Sequence, residues 1–296
     1  MVDLLEAVIR GLGRGSIYAL LALGFVIIFK ATRVISFAQP AFMLAGAVLV
    51  TFLVGPLGFW GALIAATLLT ALLALGVERS AVRPMVGRPA FVVAIITLGV
   101  DIAVRVVVNA FLGINVRQVD DPWGLKTVEL AGLRVEQRHI AVLLTTTVLV
   151  AGLFAYFRFT RMGLAMRAAS YDQEAALAQG VSVGSVFAVS WAMAGGLAAV
   201  AGTFVAAGEN VDGLMWRIAL VALPVIILGG LDSLPGAVVG GLLVGVLQEL
   251  AANYQAEYAP VWLGENVSII TPYVVMLLVL LVKPYGLFGT REVERV

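Results

Sequence analysis

RFTRMGLAMRAASYDQEAALAQG, residues Arg158 to Gly180, is a polar island, bearing Arg158, Arg161, Arg167, Asp172 and Glu174, between two long apolar runs, Ile140–Phe157 and Val183–Ala207. Each flanking run has about the 17–25 residues that carry a helix across a bilayer, so the island lies in water at one membrane face. Leu164 to Gln179 is rich in helix formers, and Gly180 suits the position just past a helix end. In that one helix Ala168, Tyr171, Ala175 and Ala178 share a stripe, while Arg167 and Glu174, seven apart, share another face. Two readings follow: an ordinary solvated loop, or a short amphipathic helix lying across the membrane mouth and able to transmit motion from a soluble partner.

Composition agrees with a membrane setting. Hydrophobic residues make up 61% of the 296, charged residues only 12%, and mean hydropathy is +1.05, whereas a soluble domain carries roughly a quarter charged residues. The net charge of +1 leaves no nucleic-acid footprint. Cysteine is absent, which excludes disulfides and thiolate metal sites. Arg10 and Arg14 precede an apolar run without a cleavage site, so that run reads as the first membrane helix rather than a signal peptide.

Apolar runs cover Gly15–Phe29, Phe37–Val54, Leu57–Val77, Ala90–Leu112, Ile140–Phe157, Val183–Ala207, Ile218–Ala251 and Val267–Val282. The seventh is too long for one helix, and Gly229-Gly230-Leu231-Asp232-Ser233-Leu234-Pro235-Gly236 interrupts it with a stop and a restart. The predicted fold is all-α: a polytopic membrane helical bundle of about eight or nine segments, with one broken or re-entrant pair near 218–251. Residues 1–296 are expected to form one membrane domain. The runs are continuous rather than alternating, which excludes a closed barrel.

Orientation follows from Lys and Arg. With two crossings in the seventh run, Lys30, Arg33, Arg79, Arg83, Arg88, Arg158, Arg161, Arg167, Lys283, Arg291 and Arg295 share one side. A smaller group, Arg10, Arg14, Arg117, Lys126, Arg134, Arg138 and Arg217, takes the other. The first side is expected to be cytoplasmic and to hold the C-terminus. A single crossing distributes charge less well, so charge independently supports the break.

The island also carries a specific likeness. Thr160-Arg161-Met162-Gly163, Arg167-Ala168, Asp172, Glu174-Ala175-Ala176 and Gly180 resemble the coupling segment of the LivH-type permeases of branched-chain amino-acid ABC importers. Gly229 to Gly241 is similar to the family's glycine-rich second signature, Lys283-Pro284-Tyr285-Gly286-Leu287-Phe288-Gly289 to its closing turn, and Gly15 to Leu20 to its start. These matches span nearly the whole chain in the expected order. Ser36-Phe37-Ala38-Gln39-Pro40-Ala41 departs from the Asn-Phe-Ala-(His or Gln)-Gly-Glu of many relatives, which leaves the exact substrate open.

The resemblance implies a permease subunit, not an enzyme, that forms half of the translocation pathway for branched-chain or related hydrophobic amino acids in a bacterial inner membrane. It implies a second, homologous LivM-like permease, two cytoplasmic ATPase subunits and an external substrate-binding protein as partners. ATP and Mg belong to the ATPases, and the chain itself carries no Gly-x-x-x-x-Gly-Lys-Ser/Thr phosphate loop and is expected to need no cofactor. Arg161, Gly163, Arg167, Asp172, Glu174, Ala175 and Gly180 are the implied coupling residues within 158–180.

Candidate path residues come from the runs themselves. Asp101 and Arg105 lie near the middle of the fourth run on one helical face, with Asn109 a turn further on. Each charge at the bilayer centre costs about 2.5–3.5 kcal/mol on insertion scales, so they pair or face a cavity. They either line the path or form an ion pair that locks packing. Gln39, Asp232 and Ser233 complete the candidate set, the last two as a helix cap or a half-helix end turned to substrate. Gly236, Gly240, Gly241 and Gly245 favour close helix contact, within the chain or toward the second permease. His139 stands alone and is assigned no chemistry. Permeases for urea, amides or another small solute remain near alternatives. An ion-coupled secondary transporter finds little support, since Asp101 and Arg105 are almost the only midplane ionisable groups.

Overall fold

The computed structural model describes residues 2–85, 87–113, 116–124, 126–130, 132–258 and 267–289, with the side chains of 2, 130 and 256–258 left aside. Arg291 and Arg295, placed on the cytoplasmic side from sequence, lie outside the described residues. Helices dominate: α1 (Val2–Thr32), α2 (Gln39–Val77), α3 (Ala90–Leu112), α4 (Gln137–Phe159), α5 (Arg161–Tyr171), α6 (Gln173–Ala178), α7 (Val183–Gly208), α8 (Arg217–Leu220), α9 (Ala222–Gly229), α10 (Leu234–Tyr258) and α11 (Val267–Val282). Among the described residues six helical stretches are long and apolar enough to cross a membrane, and Arg217–Gly229 and Val267–Val282 are shorter apolar helices. The chain is a multi-pass helical membrane protein. A small antiparallel hairpin, β1 (Thr127–Leu130) and β2 (Leu133–Glu136), pairs Thr127 with Glu136.

The second and third apolar runs follow one another without a loop inside Gln39–Val77, but they are two helices meeting at a kink: Pro56 interrupts the hydrogen-bond ladder and Gly58, at φ 66° and ψ 172°, leaves the helical region. A methyl at Gly58 meets nothing within 4 Å, so glycine is required there for its backbone angle and not for space.

The chain divides into two compact units. One comprises residues 24–122 and 147–219. Its core is the crossing of α2 and α7, where added Cβ atoms at Gly46, Gly195 and Gly202 would collide with Ala199, Ala74 and Met43 respectively. Small residues bring the two backbones together, the usual means of helix association in lipid. Phe42 stacks edge-on against the fully buried Trp191 at 6.1 Å, and Phe59 against Phe204 at 6.1 Å. α3 shows the opposite face of this logic. Phe91, Ile95, Ile102, Val106 and Phe111 are exposed, whereas Val93, Thr97 and Asp101 are buried, so a lipid-facing helix turns a polar stripe inward.

The other unit comprises residues 1–23, 123–146 and 220–296. Here the small-residue stripe of the sequence is used within the chain. Gly241 abuts Ala19, and Gly245 abuts the backbone of Gly15 and Gly11. Arg10 and Arg14 reach across this contact to Glu249 at 3.2 and 3.3 Å, and the Tyr18 hydroxyl donates to Gln248 Oε1 at 2.7 Å. Gly240 and Gly236 sit against α9, with Gly240 facing the Val225 carbonyl. His139 packs its ring over Gly13.

Because the obstacles at Gly245 are backbone atoms, Gly245→Leu is expected to destabilise the chain by roughly the 1–3 kcal/mol of an overpacked core, or more. Gly152→Ala, whose methyl enters open space in α4, is expected to be neutral or stabilising by up to about 1 kcal/mol. Thermal-shift measurements on the purified protein in detergent compare the two; equal stability of both variants contradicts the tight α1–α10 contact.

Candidate functional site

The polar island is two helices, not one. Thr160 opens α5 by accepting from the Gly163 N–H at 2.9 Å. α5 ends at Tyr171, and Asp172, with extended backbone, caps α6 by accepting from the Ala175 N–H at 2.9 Å. An Asp side chain offers its oxygen to a free N–H more readily than it continues a helix interior. The break shifts the phase expected for a single helix. Tyr171 is 90% exposed and Ala175 and Ala178 are exposed, whereas Gly163, Met166, Ala169, Ser170 and Ala176 are buried. The single stripe through Ala168, Tyr171, Ala175 and Ala178 is therefore corrected to two separate buried faces.

Each implied coupling residue now has a place. Arg161, Arg167 and Glu174 are exposed, Glu174 in the first turn of α6 where its charge suits the helix dipole. Gly163 rests on the end of α4: an added methyl would lie 2.5 Å from the Tyr156 carbonyl oxygen and 2.7 Å from Phe157 Cα. Gly180, at φ 79°, ends the segment in open space. Two contacts missed from sequence fasten the helices from below. The Gln173 Nε2 donates to the Ala31 carbonyl at 2.9 Å, and the Arg33 guanidinium donates to the Ser170 carbonyl. Arg33 itself has φ 57° and closes α1 through its N–H to the Phe29 carbonyl at 2.7 Å. Thus the break between α5 and α6 is tied to the junction of α1 and α2.

That junction leads to the polar stripe of α3. The first turn of α2 has no side-chain cap of its own at Ala38. α3 supplies acceptors instead. Thr97 Oγ1 receives the Phe37 N–H at 3.0 Å, and the Asp101 carboxylate receives the Ala41 N–H. Arg105 pairs with Asp101 at 2.5 Å, and its guanidinium lies 4.0 Å from the centre of the Trp216 ring. Asn109 continues the stripe toward Gly213. Gln39 is fully buried and donates to the Ala194 carbonyl at 3.3 Å, over the gap that Gly24 leaves. Thr97 and Trp216 were not singled out in the sequence. Thr97 was legible as four residues before Asp101; Trp216 gave no signal.

Asp232 and Ser233 belong to the other unit. Ser233 caps α10 by accepting from the Gly236 N–H at 3.0 Å. The closing turn binds this same corner, Leu287 N–H to the Leu228 carbonyl at 2.8 Å and Phe288 N–H to the Gly229 carbonyl at 3.1 Å. The two glycine signatures are therefore one structural joint. Among the described residues no group of three or more His, Cys, Asp or Glu could hold a metal ion.

Comparison with known proteins gives a consistent answer. A family model described as "Branched-chain amino acid transport system / permease component" matches residues 7–282. The high-affinity branched-chain amino acid transport system permease protein LivH of Salmonella typhimurium is 28% identical, covering 99% of this chain and 97% of the relative. The corresponding permease protein BraD of Pseudomonas aeruginosa is 26% identical over 99% and 98%. The probable LivH of Methanocaldococcus jannaschii is 26% identical over 93% and 89%. The solved structure of PsaBC from Streptococcus pneumoniae in complex with Fab shares the fold, with TM-score 0.51, 12% identity, and coverage of 96% of this chain and 92% of that one.

Removing the Asp172 cap should cost about 0.5–2 kcal/mol locally, which is large for a helix of six residues. Asp172→Ala is expected to accelerate amide exchange across residues 173–178 while Asp172→Ser retains protection. Identical exchange in the two variants contradicts the capping role.

Proposed function

Because the chain belongs to the branched-chain amino acid transport system permease-component family, we propose that it is one permease subunit of an ATP-driven importer for branched-chain or related hydrophobic amino acids. Residues 1–296 act as one permease domain in a bacterial inner membrane, with the C-terminus in the cytoplasm. A second homologous permease completes the pathway, two cytoplasmic ATPases bind ATP and Mg, and an external binding protein delivers substrate. The chain carries no catalytic role in this assembly.

The observation that carries the reading is the tether between the polar island and the membrane core. Arg161, Arg167, Glu174 and Gly180 present an exposed surface to the ATPases, while Gln173 and Ser170 hold Ala31 and Arg33. ATP-driven closure of the ATPases displaces α5 and α6, and the Gln173–Ala31 and Arg33–Ser170 bonds pass that displacement to the α1–α2 junction. From there the N-terminus of α2 moves against Thr97 and Asp101, biasing the inward and outward arrangements. Gln39, Asp101, Arg105 and Asn109 line the path in this reading, with Asp232 and Ser233 at the α9–α10 turn.

Two variants separate docking from transmission. Glu174→Lys is expected to lower association with the ATPases and abolish uptake. Gln173→Ala is expected to keep association and ATP hydrolysis but to lower uptake by roughly 5–150-fold, the range of an ordinary coupling free energy. Normal uptake in both variants overturns the coupling assignment. Topology is read in the same cysteine-free chain: Asp121→Cys should react with an impermeant thiol reagent outside intact cells and Asp172→Cys should not. External labelling of position 172 reverses the orientation.

A further inference from the structure

Two ion pairs in the same unit are built differently. Arg83, partly exposed, meets the buried Glu78 through two bonds, Nε to Oε1 at 2.9 Å and Nη2 to Oε2 at 3.0 Å, and Nη2 also donates to the Gly184 carbonyl at 2.9 Å. That pair leaves no buried side-chain atom without a partner. Arg105 meets Asp101 through Nη2 and Oδ2 only. Asp101 Oδ1 and Arg105 Nε are buried without a hydrogen-bond partner, and so is Asn109 Oδ1. The Asp101 side chain is 8% exposed and that of Arg105 19%. One buried donor thus lies between two buried acceptors on successive turns of a single helical face. Groups left in this state within a membrane core are costly, and such violations mark places where a ligand completes the set.

We propose that Arg105, Asp101 and Asn109 form an intramembrane binding site for the zwitterionic head of an α-amino acid. Arg105 takes the α-carboxylate and Asp101 Oδ1 accepts from the α-ammonium, while Asn109 Oδ1, about 12 Å along the helix from Asp101, bounds the site on the other side of Arg105. This deepens the importer reading and rests on it. Separating Asp101 from Arg105 in a low-dielectric setting strands two charges unless both are compensated together. A zwitterion does so and leaves the site neutral; urea, an amide or a singly charged analogue does not. The Trp216 ring, 4.0 Å from the guanidinium carbon, engages the face of Arg105 and leaves its N–H edge for a carboxylate. The site therefore distinguishes amino acids from uncharged solutes by chemistry independent of the external binding protein.

The test uses the full importer complex in lipid nanodiscs without its binding protein, so that only the permease's own selectivity is read. Gly213→Cys places a single thiol in this chain beside Asn109, where an added Cβ lies 3.2 Å from Oδ1. Leucine at saturating concentration is expected to slow modification of that cysteine by roughly tenfold, read from the mass of this chain. Leucine amide, 4-methylpentanoate and urea should give no protection, and Arg105→Gln or Asn109→Leu should abolish protection by leucine. Equilibrium dialysis of radiolabelled leucine against the unsubstituted complex, and against the Asn109→Leu complex, gives the same comparison without the cysteine. Protection by all analogues alike, or leucine binding unchanged in Arg105→Gln and Asn109→Leu, overturns the site. So does an absence of leucine binding in a complex that still imports leucine when its binding protein is present, which identifies the orphan atoms as water sites only. If the complete complex imports urea or an amide and no amino acid, the importer reading itself fails, and the zwitterion site with it.

Discussion

The N-terminus of α2 begins inside the bundle, and the backbone N–H groups there require acceptors that lipid cannot provide. An unsatisfied backbone donor in hydrocarbon costs several kcal/mol. Neither Ala38 nor Pro40 can supply a side-chain oxygen; Ser36 Oγ accepts from the Ala38 N–H, and α3 supplies the other acceptors, Thr97 for Phe37 and Asp101 for Ala41. Asp101 in turn needs a counter-charge, which Arg105 supplies from the next turn. The arrangement of α1, the α1–α2 junction, α2 and α3 follows from this sequence of requirements. It also explains why the inward face of α3 is polar while its other faces are bare hydrocarbon.

The same junction is where the polar island is attached. Ala31 and Arg33 precede the re-entry of the chain at Phe37 by only a few residues, and they are the residues that Gln173 and Ser170 hold. A force applied to α5 and α6 has few soft elements to absorb it before it reaches Asp101. Gly163 lies closely on the last turns of α4, which holds the start of α5 and leaves the Asp172 break as the irregular point of the segment. A one-helix island would have moved as a rod. Two helices hinged at an Asp cap can change their mutual angle while each keeps its own contacts.

Much of this was legible in the sequence because membrane burial leaves strong periodic signals. The apolar runs, the break at Gly229–Gly236 and the positions of Asp101, Arg105 and Asn109 on one face follow from length, glycine and spacing alone. The order of four motifs carried the family. What was not legible depended on contacts distant in sequence. Asp172 reads equally as an interior residue or a cap until its χ angle is known, so the helix break and the phase of the buried faces were missed. Arg33 and Gln173 act through backbone carbonyls, which have no sequence signature. The small residues of α10 announced close packing but not with which partner, and Gly241 and Gly245 turn out to be consumed by Ala19, Gly15 and Gly11. Pro56 signalled a boundary between runs, and the chain leaves the helical region two residues later at Gly58.

A transporter must hold its charged groups firmly enough to insert and fold, yet leave them free enough to exchange partners. Glu78 and Arg83 meet only the first demand: two bonds between them and a third to Gly184 leave neither with a buried unpartnered side-chain atom, and the pair locks the end of α2 to the start of α7. Asp101 and Arg105 meet both. At i and i+4 on one helix they meet through Nη2 and Oδ2, and one buried oxygen and one buried nitrogen have no partner. The bond that stabilises the N-terminus of α2 is thus made by a carboxylate whose commitment to Arg105 is incomplete. Any ligand that engages Arg105 changes how strongly Asp101 holds α2, and any movement of α2 changes what Arg105 can offer a ligand. Under the proposed importer reading, coupling between a ligand at Arg105 and the helices α5 and α6 would be reciprocal, because both would act on the same carboxylate.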